Sequence, residues 1–220
     1  MASFFNLILD TLAPSGLTLK LNSGATYATS NTVMAAVSLS DSSKTGYQMK
    51  IWGTKAAATE AAASWETFAA TKSITLTDGD GLKTVNIKVR DDVGNETASV
   101  SASITVNTAV PVVTITGPDK SRISKVSGFD TSAFSFTSDV DFEEYVIKVV
   151  PSSSSLHDAG TQIPTTGGSA NTSGSAGEYK KATAINVTIK GADLATASSG
   201  DGTKIVKVFV RNAAGTWSVA

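Results

Sequence analysis

The 220-residue chain contains no cysteine, which excludes disulfide staples and thiolate metal sites from its folding and chemistry. It has one histidine, His157, and without cysteine a lone histidine excludes an ordinary zinc site. Charged residues are only 17% of the chain and the net charge is −1. Basic charge therefore supplies no attraction to nucleic acid or to a membrane, and neither is expected as a partner. No window approaches 18 consecutive apolar residues, so no transmembrane helix is predicted. The opening run, Met1-Ala2-Ser3-Phe4-Phe5-Asn6-Leu7-Ile8-Leu9, lacks a basic start and is too short in its apolar part to read as a secretory signal.

What the chain has in plenty is hydroxyl groups: serine and threonine together number 58. Few charges, many hydroxyls and regularly spaced apolar residues predict secreted or virion β-structure rather than an enzyme. Strict alternation places every second side chain on one face of a strand. It runs through Leu17, Leu19 and Leu21, then Val33, Ala35, Val37 and Leu39, then Tyr47, Met49 and Ile51. It resumes at Ile74 and Leu76, at Val85, Ile87 and Val89, and from Ala98 to Val106. Turn-formers such as Asn22-Ser23-Gly24 and Asp78-Gly79-Asp80-Gly81 separate the runs. Half a dozen short strands with one apolar face predict a β-sandwich. The alanine-rich stretch 55–64 is expected to be a connection.

The second half repeats the first. Gly79 to Arg90 matches Gly200 to Arg211, and Gly94 matches Gly215. Tyr47 and Lys50 match Tyr145 and Lys148, while Thr11 and Pro14 match Thr108 and Pro111. This pattern predicts duplication of one unit, giving domains 1–108 and 109–220. The offsets are 97 at Pro14/Pro111, 98 at Tyr47/Tyr145 and 121 at Gly81/Gly202, so the second copy carries 121 − 98 = 23 extra residues. They are expected within the serine- and glycine-rich tract 151–177, which would be mobile alone and is expected to pack on a neighbour.

Leu9-Asp10-Thr11 with Pro14, the step Trp65-Glu66-Thr67-Phe68, and Gly79-Asp80-Gly81-Leu82-Lys83-Thr84-Val85 through Arg90-Asp91 and Gly94-Asn95 resemble bacterial and bacteriophage Ig-like repeats. The resemblance covers about 100 residues well and the second copy in part. It implies an all-β fold of two tandem Ig-like sandwiches, with this stretch forming the last hairpin. Asn212 and Thr216 depart from the Asp and Asn that the family favours. Such repeats usually work outside a bacterial cell. Without an export signal, the expectation is a tailed-phage virion protein, assembled in the host cytoplasm, that decorates the head or forms part of the tail or fibres.

Asn6 to Thr11 is similar to Ser103 to Thr108, the closing strand of the first copy, whereas the second copy reads only to Trp217-Ser218-Val219-Ala220 after its turn. The segment Phe4 to Leu9 is thus expected as a strand, either paired inside the first domain or docked on a second subunit or another virion protein. Ile205 and Phe209 replace polar Thr84 and Lys88 of the first copy. The strand then has two apolar faces, one covered by the copy's own insertion or by a partner. The candidate contact residues are Phe4, Phe5, Leu7, Leu9, Leu156, Ile163, Ile205, Phe209 and Trp217. The expected partners are other virion proteins or copies of the chain.

Candidate chemistry is sparse. Ser155, His157 and Asp158 are too close in sequence to form a triad, whose members converge from separate elements. Asp78, Asp80, Asp91 and Asp92 suit turn capping or calcium. The Gly-Asp-Gly repeats lack the ending of a phosphate loop. Asp141, Glu143 and Glu144 read as a solvated turn or an acid pair for glycoside cleavage. Trp52, Trp65, Trp217 and Tyr179 read as packing or as a platform for a host-surface glycan, the alternative ligand. No cofactor, metal or catalytic residue is expected.

Overall fold

The computed structural model describes residues 5–55, 57–175 and 177–219. The chain divides into two compact units, Met1–Thr108 and Ala109–Ala220, and its described residues are all-β apart from one short helix and a 3₁₀ turn.

The first unit has strands β1 (Thr18–Leu21), β2 (Tyr27–Ala28), β3 (Thr32–Ser38), β4 (Gln48–Gly53), β5 (Glu66–Thr67), β6 (Thr71–Thr75), β7 (Gly81–Arg90) and β8 (Val100–Val106). One sheet runs β1-β3-β6 and the other β2-β8-β7-β4-β5. Leu19, Val37 and Ile74 from the first sheet meet Met49, Ile87 and Ile104 from the second in one core. Alternation produces this arrangement, because β1, β3, β4 and β7 bury every second residue. Each such aliphatic side chain stabilises the fold by about 1.5–3 kcal/mol through burial. Stretch 55–64 holds a turn at 60–62.

The second unit has β9 (Val113–Thr116), β10 (Thr131–Ser138), β11 (Glu144–Val150), β12 (Thr161–Gln162), β13 (Ser173–Gly174), β14 (Ile185–Lys190), helix α1 (Gly191–Ala197) and β15 (Ile205–Arg211). One sheet runs β14-β10-β9; in the other, β11 pairs with β15 along one edge and with β12 and β13 along the other. Phe136, Val187 and Ile189 meet Tyr145, Ile147, Val208 and Val210 in the core.

Two expectations are corrected here. The serine- and glycine-rich tract, expected to be mobile without a neighbour, is held by its own unit: β12 and β13 continue the β11 sheet, and Ile163 is fully buried in the core. Its second half is pinned by Asp193, whose carboxylate accepts hydrogen bonds from the Gly167 and Ser169 backbone and the Thr166 hydroxyl. The strand register also differs from the sequence match. Gln48 lies opposite Arg90 and Glu144 opposite Arg211, so the strands correspond at 144 − 48 = 96. Tyr145 therefore takes the place of Met49, not of Tyr47, and the excess is 121 − 96 = 25 residues.

Candidate interaction surface

Both units build the same hairpin after their long strand. In the first, Asp91 Oδ1 accepts from the Val93 and Asn95 N–H groups, and the Thr97 N–H returns to the Val89 carbonyl at 2.8 Å. In the second, Asn212 Oδ1 accepts from Ala214 and Thr216, and the Ser218 N–H returns to Val210 at 2.8 Å. Gly94 and Gly215 supply the positive φ that the turns need, 95° and 85°. Threonine can stand at position 216 because the shared part of the turn is the backbone N–H there; the Asn95 side chain adds a bond to Asp91 Oδ2 at 2.9 Å.

Beyond the turn the units differ. In the first, β8 runs antiparallel to β7, from Ile87 opposite Val100 to Gly81 opposite Val106. Below it, Asp80 accepts hydrogen bonds from the Thr108 N–H and hydroxyl at 2.8–3.0 Å. In the second, β15 is bonded to β11 on one side, and among the described residues its other side meets only the Trp217–Ser218 step. Val85 under β8 is fully buried, whereas its counterpart Val206 is half-buried. The effect reaches the facing sheet: Leu19, opposite Val37 in β1, is 9% exposed, but Ile115, opposite Phe136 in β9, is 45% exposed.

The outer face of the β11–β15 pair is covered from within the unit. Val146, Val150 and Phe209 form a small cluster with Trp217 against it. His157, from the insertion, stacks on Trp217 at 3.6 Å between centroids and stands edge-on to Phe209. Lys207 Nζ donates to the Ser153 and Ser155 carbonyls, fastening this loop. Burial among these groups, then the Lys148 ammonium, pushes the His157 imidazole below its ordinary value, against the opposing carboxylates of Glu144 and Asp158.

The candidate contact residues fall into three groups. Ile163 and Phe209 are fully buried and offer no free surface, which corrects their reading as contact residues. Trp217 is half-buried, Leu156 is exposed, and Ile205 sits exposed on the open β15 edge. Phe5, Leu7 and Leu9 are 85–86% exposed and belong to no strand, which corrects the expectation of pairing inside the first domain; Phe4 lies outside the described residues. Val112 and Ile115, exposed near that edge, were not among the candidate residues, because nothing in the sequence marks them as different from core positions.

The chemistry-bearing residues are spread out. Asp141 accepts from the Lys181 backbone and Lys180, which hold its carboxyl below the usual range, while Glu144 pairs with Arg211 at 2.7 Å. No three His, Asp or Glu side chains among the described residues are grouped to hold a metal ion. Trp65 lies under Lys50 and Arg90, and Tyr179 stacks on Phe142 against Tyr145, so both rings serve packing.

No protein-family model matches the chain, and no curated protein matches it in sequence. Among solved structures it is similar to the fibronectin(III)-like modules of Clostridium thermocellum CbhA, at 13% identity and a TM-score of 0.47, over 92% of this chain and 90% of that one. It is also similar to chitinase ChiA74 from Bacillus thuringiensis, at 11% identity and a TM-score of 0.31, and to dimeric latent PorU from Porphyromonas gingivalis, at 14% and 0.29. The chain spans 30% of the chitinase and 20% of PorU. Likenesses at this level assign the chain to no family.

Proposed function

We propose that the chain is a non-enzymatic structural protein of a tailed-phage virion, made of two tandem Ig-like sandwiches, 1–108 and 109–220. It decorates the head or forms part of the tail or its fibres, through contacts with other virion proteins or with copies of itself. The observation that carries this reading is an exposed apolar segment, Phe5 to Leu9, in a chain whose strand β15 meets, beyond β11, only the Trp217–Ser218 step among the described residues. An open strand edge is a template for another strand. In a symmetric shell or tube, many copies of a weak contact act together. Assembly in the host cytoplasm and release by lysis bring the protein outside the cell.

Particles purified by density gradient test the reading. Quantitative mass spectrometry is expected to find the chain at a fixed copy number per particle, and labelled antibody is expected to mark regular positions on the head or tail. Absence from particles made by lysing an infected culture would sink it.

A further inference from the structure

The outer face of β11 carries a trough that the insertion builds. By alternation Glu144, Val146 and Lys148 stand on that face. Their neighbours in the short strands stand on it too, with Ser173 opposite Val146 and Gln162 opposite Lys148. His157, from the loop before β12, closes one wall and is backed by the Trp217 ring. Ser175 completes the lining of a trough of about 390 Å³, within the range of small-ligand sites. In the first unit the same edge of β4 carries only the two-residue β5 among the described residues.

The groups lining the trough keep hydrogen-bonding capacity that the rest of the insertion has used. Elsewhere in it the Ser152 and Ser155 hydroxyls bond each other, Thr166 donates to Asp193, the Ser169 hydroxyl accepts from the Lys190 N–H, and the Asn171 amide donates to the Asn186 carbonyl. By contrast, the side chains of Gln162, Ser173 and Ser175 make no hydrogen bond among the described residues. Arg211 meets Glu144 twice through one oxygen, Oε2, at 2.7 and 2.8 Å, which leaves Oε1 as an acceptor. Lys148 Nζ donates to the His157 carbonyl and keeps two further N–H groups.

We propose that this trough binds a neutral, hydroxyl-rich ligand: a stretch of glycan two linked sugar rings long. The lining selects that class. A carboxylate oxygen that accepts and an ammonium that donates mark its two ends, about 13 Å apart along the strand. An anionic ligand would be repelled by Glu144 and a cationic one by Lys148. Sugar hydroxyls both donate and accept, so they satisfy both ends, together with the Gln162 amide and the serine hydroxyls, without bringing in a charge that needs its own partner. The C–H face of a sugar ring finds apolar surface in Val146 and the His157 ring. The site stands apart from the virion reading: particles lacking the protein would end that reading and leave this one untouched.

His157 is the only histidine, so its imidazole protons report on the wall of the trough in a proton NMR titration of the full chain. Maltose, cellobiose and lactose are the probes, each taken to about 50 mM, well above a millimolar dissociation constant, with sialyllactose as the charged comparison. At least one neutral disaccharide is expected to give a saturable shift of these signals. Gln162→Ala and Ser173→Val, at exposed positions on the short strands, are each expected to weaken that binding about three- to tenfold. Urea unfolding at the parent midpoint shows that both variants are folded. Thr67→Ala, in β5 of the first unit, is expected to bind as the parent does. The proposal is overturned if none of the three sugars gives a saturable shift, or if both trough variants bind as tightly as the parent. Binding of sialyllactose and of no neutral sugar overturns it as well, because charge and not the hydroxyl pattern is then what the site reads.

Discussion

Asp91 and Asn212 hold the same turn with the same oxygen but with different charge. Each Oδ1 accepts from the backbone N–H groups two and four residues on. Burial works against ionisation of Asp91, yet the Asn95 side chain and the N–H groups of Asn95, Val93 and Gly94 outweigh it and hold the carboxyl below its ordinary 3.8. A carboxyl depressed by folding contributes stability above its unfolded value, and that contribution is lost as pH falls through the folded value. Asn212 does not titrate. The first hairpin is therefore the acid-sensitive one. Asp91→Asn is expected to cost about 1–2 kcal/mol near neutral pH and to flatten the loss of stability below pH 3.8. Urea unfolding of both proteins at acid and neutral pH checks this; parallel pH curves would count against the turn as the source.

His157 gives a second pH dependence, of the same sign and at a higher pH. Its imidazole lies against Trp217 and Phe209, and burial followed by Lys148 disfavours the charged form, with Arg211 adding to that and Glu144 and Asp158 opposing it. The neutral ring is the one folded into place. The stability it gives is complete above the ordinary 6.5 and is lost as pH falls through the lower folded value. As the only histidine, it gives one imidazole signal in a proton NMR titration. The midpoint is expected below 6.5 and is expected to rise towards 6.5 in Trp217→Ala. A midpoint at or above 6.5 in the parent chain would show that the ring is not packed as described.

Much of the fold was readable where alternation and turn residues agree, and what escaped has identifiable causes. Strands β3, β4 and β7 fall on their apolar runs because each has one buried and one wetter face. The register of β11 escaped because a shift of two residues keeps every side chain on its own face. Alternation alone cannot tell 96 from 98, and the tyrosine match at Tyr47/Tyr145 favoured the wrong one. Helix α1, seven residues long without a side-chain cap, carries no start signal. The insertion escaped because its anchors are few and distant: Ile163 enters the core and Asp193 binds a loop more than twenty residues away. Phe5, Leu7 and Leu9 read as a strand but belong to none, because Ile8 breaks the alternation and no partner strand lies beside them among the described residues.

Asp193 is the residue on which the ordered insertion depends most. It is buried, and burial opposes its charge, but the Ser169, Gly167 and Thr166 donors outweigh that and lower its pKa. Asp193→Ala leaves the buried Ser169 N–H without its acceptor, at a cost of about 1–3 kcal/mol. The same change is expected to open residues 164–170 to limited proteolysis while the first unit stays resistant. Unchanged cleavage of this loop would mean that β12 and Ile163 alone hold it.

Gly174 tests the aromatic packing of the second unit and, through it, the register of β13 on β11. The glycine lies opposite Tyr145 in β13, and a Cβ there would come within 2.3 Å of the Tyr179 hydroxyl and 2.4 Å of Tyr145 Cε1. Neither ring has room to retreat, because Tyr145 packs on Phe136 and Phe142 while Tyr179 is stacked on Phe142. Gly174→Ala is therefore expected to destabilise the unit by about 1–3 kcal/mol, the usual range for overpacking. Tyr179→Ala in the same chain is expected to recover part of that loss, which a double-mutant cycle by thermal or urea unfolding would measure. With β13 paired two residues away along β11, Gly174 would not face Tyr145. Alanine would then cost little, and the two substitutions would simply add.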